Sequence, residues 1–472
     1  MKLVNPSNPV TSAWLAEQGF RLDPAPYLSG AQEAKKLLER LSRTDKLSEV
    51  TAGHNGGIFN GPKFSRIYLH DLEHTVPFLG STDMMEADFS FLPRLSKEVA
   101  DKFPYLEIEP GTTLISCSGT IGRMAYVRSD MKGIWSSQHV MKVAPRSGRM
   151  LSGYLYTFLR SPYGVPMIAS SAYGAIIQHI EPHHIAGLPV PRFGEKLELK
   201  IHDLVEEAAR LRAAYQAGVV AATEDFFKSV GLPDLNDLRW HQQERDLGFV
   251  VEKVGATSLR SLNFAPRARW IIEKLGSVEN RPLGEICSGG QLSRGVRFKR
   301  VDSDQEHGIQ LVGQRQAFWL RPEGRWINVA ATPDEVVAKE ETILVAARGT
   351  LGENEVYCRS ILASGAWTRY AYSEDFLRIV SGDPEIPGAY LFAFLRSNAA
   401  FRLLRSMSTG GKQQDIHESL RARIPIPLAP PADRDRVAET VRQAYRDRDR
   451  ADVLEDQALA LLTEAIKKEA AV

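Results

Sequence analysis

The sequence has only three cysteines in 472 residues, Cys117, Cys287 and Cys358, and no two form a Cys-x-x-Cys pair. An odd count without metal-ligand spacing excludes a disulfide framework and a cysteine-rich zinc site, and it fits a reducing cytoplasm. Charge of one sign is also missing, since 59 Lys and Arg against 58 Asp and Glu leave a net charge of +1. Any contact with nucleic acid must come from local patches, not from a global field. No apolar run approaches the roughly 18 residues that span a bilayer. The segment Met1–Phe20, with Pro6 and Pro9, lacks the cationic and apolar regions of a secretory leader. The expectation is a soluble, cytoplasmic protein with no membrane partner. Hydrophobic residues at 43% and charged residues at 25% exclude a disordered or collagen-like chain.

Catalytic motifs are missing too. The single Gly-Lys pair, Gly411-Lys412, lacks the upstream Gly and the following Ser or Thr of a phosphate-binding loop. There is no HExxH, no GxSxG and no Asn/Asp-Pro-Pro-Tyr/Phe methyltransferase motif; Asp23-Pro24-Ala25-Pro26 is a proline-rich entry segment. Glu198-Leu199-Lys200 could end a nuclease motif, but it falls in a helical pattern, where a salt-bridged surface is the simpler reading. His179, His183 and His184 have metal-compatible spacing without a matching acidic or Cys ligand nearby, and no metal site is expected there.

What the chain does have is a copy of itself. Leu188-Pro189-Val190-Pro191 matches Ile424-Pro425-Ile426-Pro427 at a separation of 236 residues, and GYLYTFLRS from Gly153 matches AYLFAFLRS from Ala389 at the same separation. Between them GAIIQHI (Gly174 to Ile180) falls on GGKQQDI (Gly410 to Ile416), again 236 residues on. Upstream, Leu47-Ser48-Glu49-Val50 matches Leu283-Gly284-Glu285-Ile286 at 236, whereas SGTIG from Ser118 matches RGTLG from Arg348 at 230. The six-residue difference is a loop insertion. Leu22 to Pro26 resembles Leu262 to Pro266, so each copy starts near residue 21 or 261. Collinear matches at a nearly constant offset mean duplication.

Each copy reads as mixed α+β. Thr112 to Ser116 and Met124 to Val127, joined by a glycine turn, predict two short strands, repeated by Thr342 to Ala346 and Glu355 to Cys358. Gly153 to Arg160 and Ala389 to Arg396 predict short buried helices, and each Pro-x-Pro stops the globular region before a long helix. From Glu195 to Val230 a heptad register puts Ile201, Ala208, Tyr215 and Ala222 at one seam position and Leu204, Leu211 and Gly218 at the other. From Ala432 to Ala471 the stripe is Val437, Ala444, Ala451, Ala458 and Ala465, with Leu454 and Leu461 alongside. The fold expected is α+β: two tandem domains of mixed structure, residues 1–194 and 232–429, separated by two long antiparallel coiled-coil helices at 195–231 and 430–472 in a pseudo-two-fold arrangement.

Basic residues concentrate in both copies. A stretch of 50 residues of average composition holds about six acids, yet Met131 to Ile180 holds none while containing Lys132, Lys142, Arg146, Arg149 and Arg160. Arg396 to Gln414 is also free of acids, and Ser288 to Val301 adds Arg294, Arg297, Lys299 and Arg300. Such residues, with Trp135, Gln138, His139 and Gln178, suit phosphates and base edges. Buried strands could also account for the first stretch.

SCSGTIGRMAYV (Ser116 to Val127), SSQHVMKVAP (Ser136 to Pro145), the GAIIQHI and GGKQQDI loops, the two Pro-x-Pro exits and the helix after each resemble specificity (S) subunits of type I restriction-modification systems, in order and over nearly the whole chain. The chain looks closest to S-like subunits of methylation-associated phage-defence systems. The resemblance implies a non-catalytic subunit whose two domains are target-recognition domains, each reading half of a bipartite site in double-stranded DNA. The subunit itself would need no cofactor. DNA adenine methyltransferase subunits and a restriction or translocase subunit would use S-adenosylmethionine, ATP and Mg. Departures from the pattern are Arg348 in place of the Ser118 equivalent, unequal second loops and the long linker Gly231 to Ser258, so the halves should read different sequences. By residue type, Gln178, His179, Gln314, Arg315, Lys412, Gln413 and Gln414 are candidates for base contacts. Lys142, Arg146, Arg297 and Lys299 are candidates for phosphates. The rivals are a metal-dependent DNA endonuclease and a stand-alone DNA-binding regulator.

If the helices set the gap between half-sites, deleting one heptad from both removes about 10 Å, or about three base pairs. The recognised motif, read by methylation or footprinting, should lose that gap; an unchanged gap would separate the helices from spacing.

Overall fold

A computed structural model describes residues 9–471 apart from 18, 19, 21, 23, 24, 173–177, 253, 255 and 256. The chain divides into two compact units. The first takes in the chain up to Glu86, Leu92–Ala213 and the chain from Arg450 onward; the second is Ala87–Phe91 with Ala214–Asp449.

Both units are built on the same two sheets. In the first, an antiparallel four-stranded sheet has the order Ile58–Phe59, Val140–Val143, Thr113–Ser116, Met124–Tyr126. In the second the order is Gln291–Arg294, Phe376–Val380, Thr342–Ala346, Ser360–Ala363. The central strands are short apolar runs buried at every position from Thr113 to Ser116 and from Val140 to Val143, as expected of strands covered on both faces. A three-stranded sheet accompanies each: Arg94–Ser96, Thr75–Leu79 and Trp135–Ser136 in the first unit, Gly324–Asn328, Gly308–Val312 and Ala371–Tyr372 in the second.

Register locates the insertion that separates the copies. Leu114 pairs with Ala125, and Leu344 with Ile361. The six extra residues of the second copy therefore sit between its glycine turn and its next strand. The strand expected at Glu355 to Cys358 is instead a turn, and the strand runs over Ser360–Ala363. Cys358, with φ of 70°, is in a left-handed conformation that a strand does not accommodate.

The Pro-x-Pro segments are more than stops. Pro189–Pro191 pairs antiparallel with Thr44–Lys46, and Pro425–Pro427 with Asn280–Pro282. Two-stranded ribbons tolerate proline because one side of each strand has no ladder to complete. The short helices Ser152–Arg160 and Gly388–Leu395 lock onto these strands through one tyrosine each. Tyr154 donates its hydroxyl to Pro191 O at 2.6 Å, and Tyr390 to Pro427 O at 2.9 Å.

The long helices are Glu195–Ser229 and Pro431–Ala470. They run antiparallel: in the second unit Tyr215 meets Tyr445 at a ring separation of 5.3 Å, a Cβ on Gly218 would stand 2.9 Å from that of Ala444, and Asp225 pairs with Arg436 at 2.8 Å. The expected seam residues Ile201, Ala208, Tyr215, Ala222, Val437, Ala444, Ala451 and Ala458 are buried. Toward the C-terminus the stripe drifts. Leu461 and Ala465 are half-buried, while Leu462 and Ile466 are fully buried. A straight helix of 3.6 residues per turn gains on a seven-residue repeat, and the contact moves one residue on.

In the first unit the helix pair closes over a buried ionic cluster. Arg212 Nη2 lies 2.9 Å from Asp452 Oδ1, its Nη1 is bonded to Glu455 Oε1, and Arg160 Nη1 reaches Glu455 Oε2 at 3.0 Å. Glu455→Gln leaves two arginines short of their counter-charge in the core, where breaking a buried pair costs about 3–5 kcal/mol. Chemical denaturation should show a loss of that size, against less than about 1 kcal/mol for a charge removal at exposed Glu207.

Candidate nucleic-acid interface

The central strands of each four-stranded sheet end at a glycine turn. Gly119 and Gly122 adopt φ of 76° and 87°, and Ser116 Oγ closes the turn by donating to Thr120 O at 2.6 Å and accepting from Arg123 N at 3.0 Å. The turn is a platform for the second motif. Gly119 N donates to Gln178 O at 3.3 Å and Ile180 N to Cys117 O at 3.0 Å. In the second unit Gln414 N donates to Gly349 O at 2.8 Å. Backbone hydrogen bonds thus fasten the tails of both the GAIIQHI and GGKQQDI loops to the same end of their sheets; residues 174–177 of the first loop lie outside the described residues.

A third segment arrives at this end; its second copy, with Arg297 and Lys299, is among the expected candidates, whereas its first copy is not. The edge strand Ile58–Phe59 continues into Asn60-Gly61-Pro62-Lys63-Phe64-Ser65-Arg66, and Gln291–Arg294 continues into Gly295-Val296-Arg297-Phe298-Lys299-Arg300. Pairing of Phe59 with Lys142 and of Ser293 with Arg378 makes Asn60 equivalent to Arg294 and Lys63 to Arg297. In both, the phenylalanine is half-buried and the cation before it exposed. Arg66 donates to Gln138 Oε1 at 2.6 Å, and Arg300 to Glu374 Oε2 at 2.5 Å, at equivalent positions of the central strand's approach. The signal that could have found this segment was the offset of 234 between the two Gly-x-cation-Phe patterns.

Most of the expected site residues gather here. Gln178 is exposed and His179 half-buried, with Nε2 3.1 Å from Glu181 Oε1. In the second unit Arg297, Lys299, Lys412 and Gln413 are exposed. Gln314 and Arg315 open the short helix Gln314–Ala317 beside the glycine turn. The amide of Gln314 is occupied: Nε2 donates to Arg348 O at 2.8 Å and Oε1 accepts from Arg348 N at 3.1 Å. Gln414 is buried, with its side chain folded onto Gly411 O. These two glutamines shape the loops; their side chains are not presented outward.

Two phosphate candidates lie elsewhere. Arg146 is exposed, but it follows the opposite end of the strand, seven residues past His139 and so about 20 Å away along an extended chain. Lys142 is 1% exposed on the central strand, its ammonium 5.6 Å from the ring centre of Phe59 and without a hydrogen-bond partner. The core, not a phosphate, surrounds it. Both faces of this central strand are covered, so Lys142 is buried like its neighbours Met141 and Val143, a fact that acid depletion along the sequence could not reveal. Its equivalent, Arg378, is also buried, but the longer guanidinium donates to Glu335 O and Val336 O at 2.6 Å and to Val337 O at 3.1 Å.

Three half-buried positions at this end differ between the units. In the first they hold Asn60, His139 and His179, with the imidazoles 6.4 Å apart and Asn60 Nδ2 3.3 Å from Glu181 Oε2. Burial, together with the charges of Arg66 and His179, lowers the pKa of His139 below the ordinary histidine value. In the second they hold Arg294, Asp375 and Asp415, and Arg294 donates to Asp415 at 2.8 Å and Asp375 at 3.2 Å.

The chain resembles type I S subunits. It is similar to the S subunit of a type I restriction-modification system from M. genitalium, at 12% identity over 91% of this chain and 95% of that one, with a TM-score of 0.34. It is also similar to the HsdS subunit of Thermoanaerobacter tengcongensis, at 12% identity over 90% and 97% with a TM-score of 0.26. A chain from a structure on complex assembly and conformational transition of the type I R-M system gives 13%, 90%, 97% and 0.26. No family model and no curated protein matches. Glu198, the residue of the helical nuclease-like pattern, accepts from Arg192 at 2.9 Å and from Phe193 N at 3.0 Å. Among the described residues no group of three His, Cys, Asp or Glu side chains is placed to hold a metal ion, and no helix is long and apolar enough to cross a membrane.

Burial pushes the Lys142 ammonium down to about 7, against an ordinary value of 10.5. A folded pKa below the unfolded one means that the unfolded chain holds the extra proton between pH 7 and 10.5, so stability contributed here rises with pH across that window. From pH 7 to 9 wild type should gain up to about 1.4 kcal/mol per pH unit relative to Lys142→Met. Parallel melting curves for the two would contradict a buried, titrating lysine.

Proposed function

We propose that this chain is a non-catalytic DNA-specificity subunit of a type I restriction-modification-like defence system, each unit reading one half of a bipartite duplex site. The observation that carries the reading is the duplicated sheet end. One scaffold, repeated, brings a glycine turn, a polar loop and a cationic segment together, while the side chains that face outward differ between the copies. Phosphate contacts position a protein on DNA and side chains at base edges select sequence. Keeping the first and varying the second is what an asymmetric bipartite target requires.

In this reading the work of methylation and cleavage belongs to partners in the cytoplasm. DNA adenine methyltransferase subunits would bring S-adenosylmethionine, and a restriction or translocase subunit would bring ATP and Mg. The chain brings the address.

Purified protein with plasmid DNA and Mg²⁺ or Mn²⁺ should bind and leave the plasmid intact. Affinity should fall with salt, with log Kd steepening by about 0.9 per phosphate contacted. Affinity capture from its native cell should bring down methyltransferase subunits. Cleavage abolished by a substitution in this chain would establish the endonuclease instead, and stable sequence-specific binding with no methyltransferase captured would establish a free-standing regulator.

A further inference from the structure

The segment after each edge strand carries cations at two matched positions, Lys63 and Arg66 in the first unit and Arg297 and Arg300 in the second. Lys63 and Arg297 stand at equivalent positions, exposed, each followed by a half-buried phenylalanine. Phe64 stacks on Phe103 at 4.9 Å and meets Phe78 edge-on at 6.3 Å, which anchors the segment of the first unit. Phe298 packs beside Leu311, Ile327, Val336 and Ala371 in the second. Arg66 and Arg300 turn back to Gln138 and Glu374, so they position the segment. That leaves Lys63 and Arg297 as the cations directed outward from matched sites.

The exposure pattern on the facing stretch matches as well. From Ser136 to Val143 and from Tyr372 to Ile379, two buried residues, two half-buried ones and four buried ones follow in the same order. The half-buried pair is Gln138-His139 in one unit and Glu374-Asp375 in the other. Matched exposure with mismatched chemistry separates these positions from the cationic segment, where both exposure and charge are kept. Asn60, His139 and His179 offer an amide and two imidazoles; Arg294, Asp375 and Asp415 offer a guanidinium and two carboxylates. Donors and acceptors of such different kinds fit different base edges.

We infer a division of labour that rests on the DNA-specificity reading: Lys63 and Arg297 are the equivalent phosphodiester contacts of the two units, and Asn60/His139/His179 and Arg294/Asp375/Asp415 are the positions that make their half-sites differ. The cations hold any duplex. The three inner positions choose the sequence.

The test uses the full chain with its copurified partners and a random-sequence duplex library, with selected motifs and salt-dependent affinities as readouts. Lys63→Ala should weaken binding about three- to tenfold for all sequences, lower the salt slope by about 1 and leave both half-site motifs unchanged. Arg297→Ala should do the same. Asn60→Arg/His139→Asp/His179→Asp should change one half-site preference by about tenfold or more and leave the other half-site and the gap as they were. Because Lys63 and Arg297 are exposed, their variants decide the first part even if the triple variant does not fold, and Asp415→Asn alone tests the second. An unchanged salt slope in the alanine variants, or an unchanged motif in a folded inner-position variant, overturns the inference. A wild-type chain that selects no motif at all sinks the DNA-specificity reading instead, which is a different result.

Discussion

Neither half of this chain closes its own core. The first unit packs Ala458, Leu462 and Ile466 of the C-terminal helix against Tyr154, Leu155, Ile201 and Val205, hundreds of residues away in sequence. The second packs Phe226 and Phe227 of the central helix against Tyr390 and Phe394. Fully burying each large apolar side chain contributes about 1.5–3 kcal/mol, a substantial share of a domain's net stability of about 5–15 kcal/mol. The second unit also draws in Ala87–Phe91, where half-buried Asp88 pairs with buried Arg396 at 2.6 Å. Desolvation alone would raise the Asp88 carboxyl, but the Arg396 guanidinium and hydrogen bonds from Ser90 hold it well below its usual range. The duplicated sequence therefore folds as two units that exchange segments, each completed by chain that the other copy's linear order supplies.

Against that shared frame, evolution of the two copies can be read position by position. The tyrosine lock on each Pro-x-Pro strand, the buried cation on each central strand and the glycine turn that receives the polar loop occur twice. Lys142 and Arg378 show how a conserved place in the sheet can be served differently. The guanidinium reaches four carbonyls, whereas the shorter ammonium is left over an aromatic ring and gives up much of its proton affinity. At the sheet end the pattern reverses: geometry is kept while charge and hydrogen-bonding type change.

The sequence was most legible where side chains repeat with a period. The nearly constant offset foretold a mixed helix and sheet fold with two long helices, because duplication preserves register. The heptad stripe held until the last turns, where helix drift replaced Leu461 and Ala465 by Leu462 and Ile466. The strand at Glu355 to Cys358 was misplaced because a six-residue insertion is invisible to a local match, and only the pairing of Leu344 with Ile361 locates it. At the candidate site, residue type pointed to loops that the fold gathers at one sheet end, but not to the direction of each side chain. Lys142 points inward, Gln314 and Gln414 bond to backbone, and Arg146 follows the far end of its strand. Lys63 was overlooked because its segment has only Lys63 and Arg66 where the second copy has Arg297, Lys299 and Arg300, and its equivalence to Arg297 comes only from the strand pairing of Phe59.

The central claim is that this chain gives a modification system its DNA address. Methylome sequencing of native cells with and without the gene, its partners left in place, tests it most directly. The account predicts one bipartite adenine-methylation motif that disappears when the chain is removed and returns when it is restored. An unchanged methylome across all three states would contradict it.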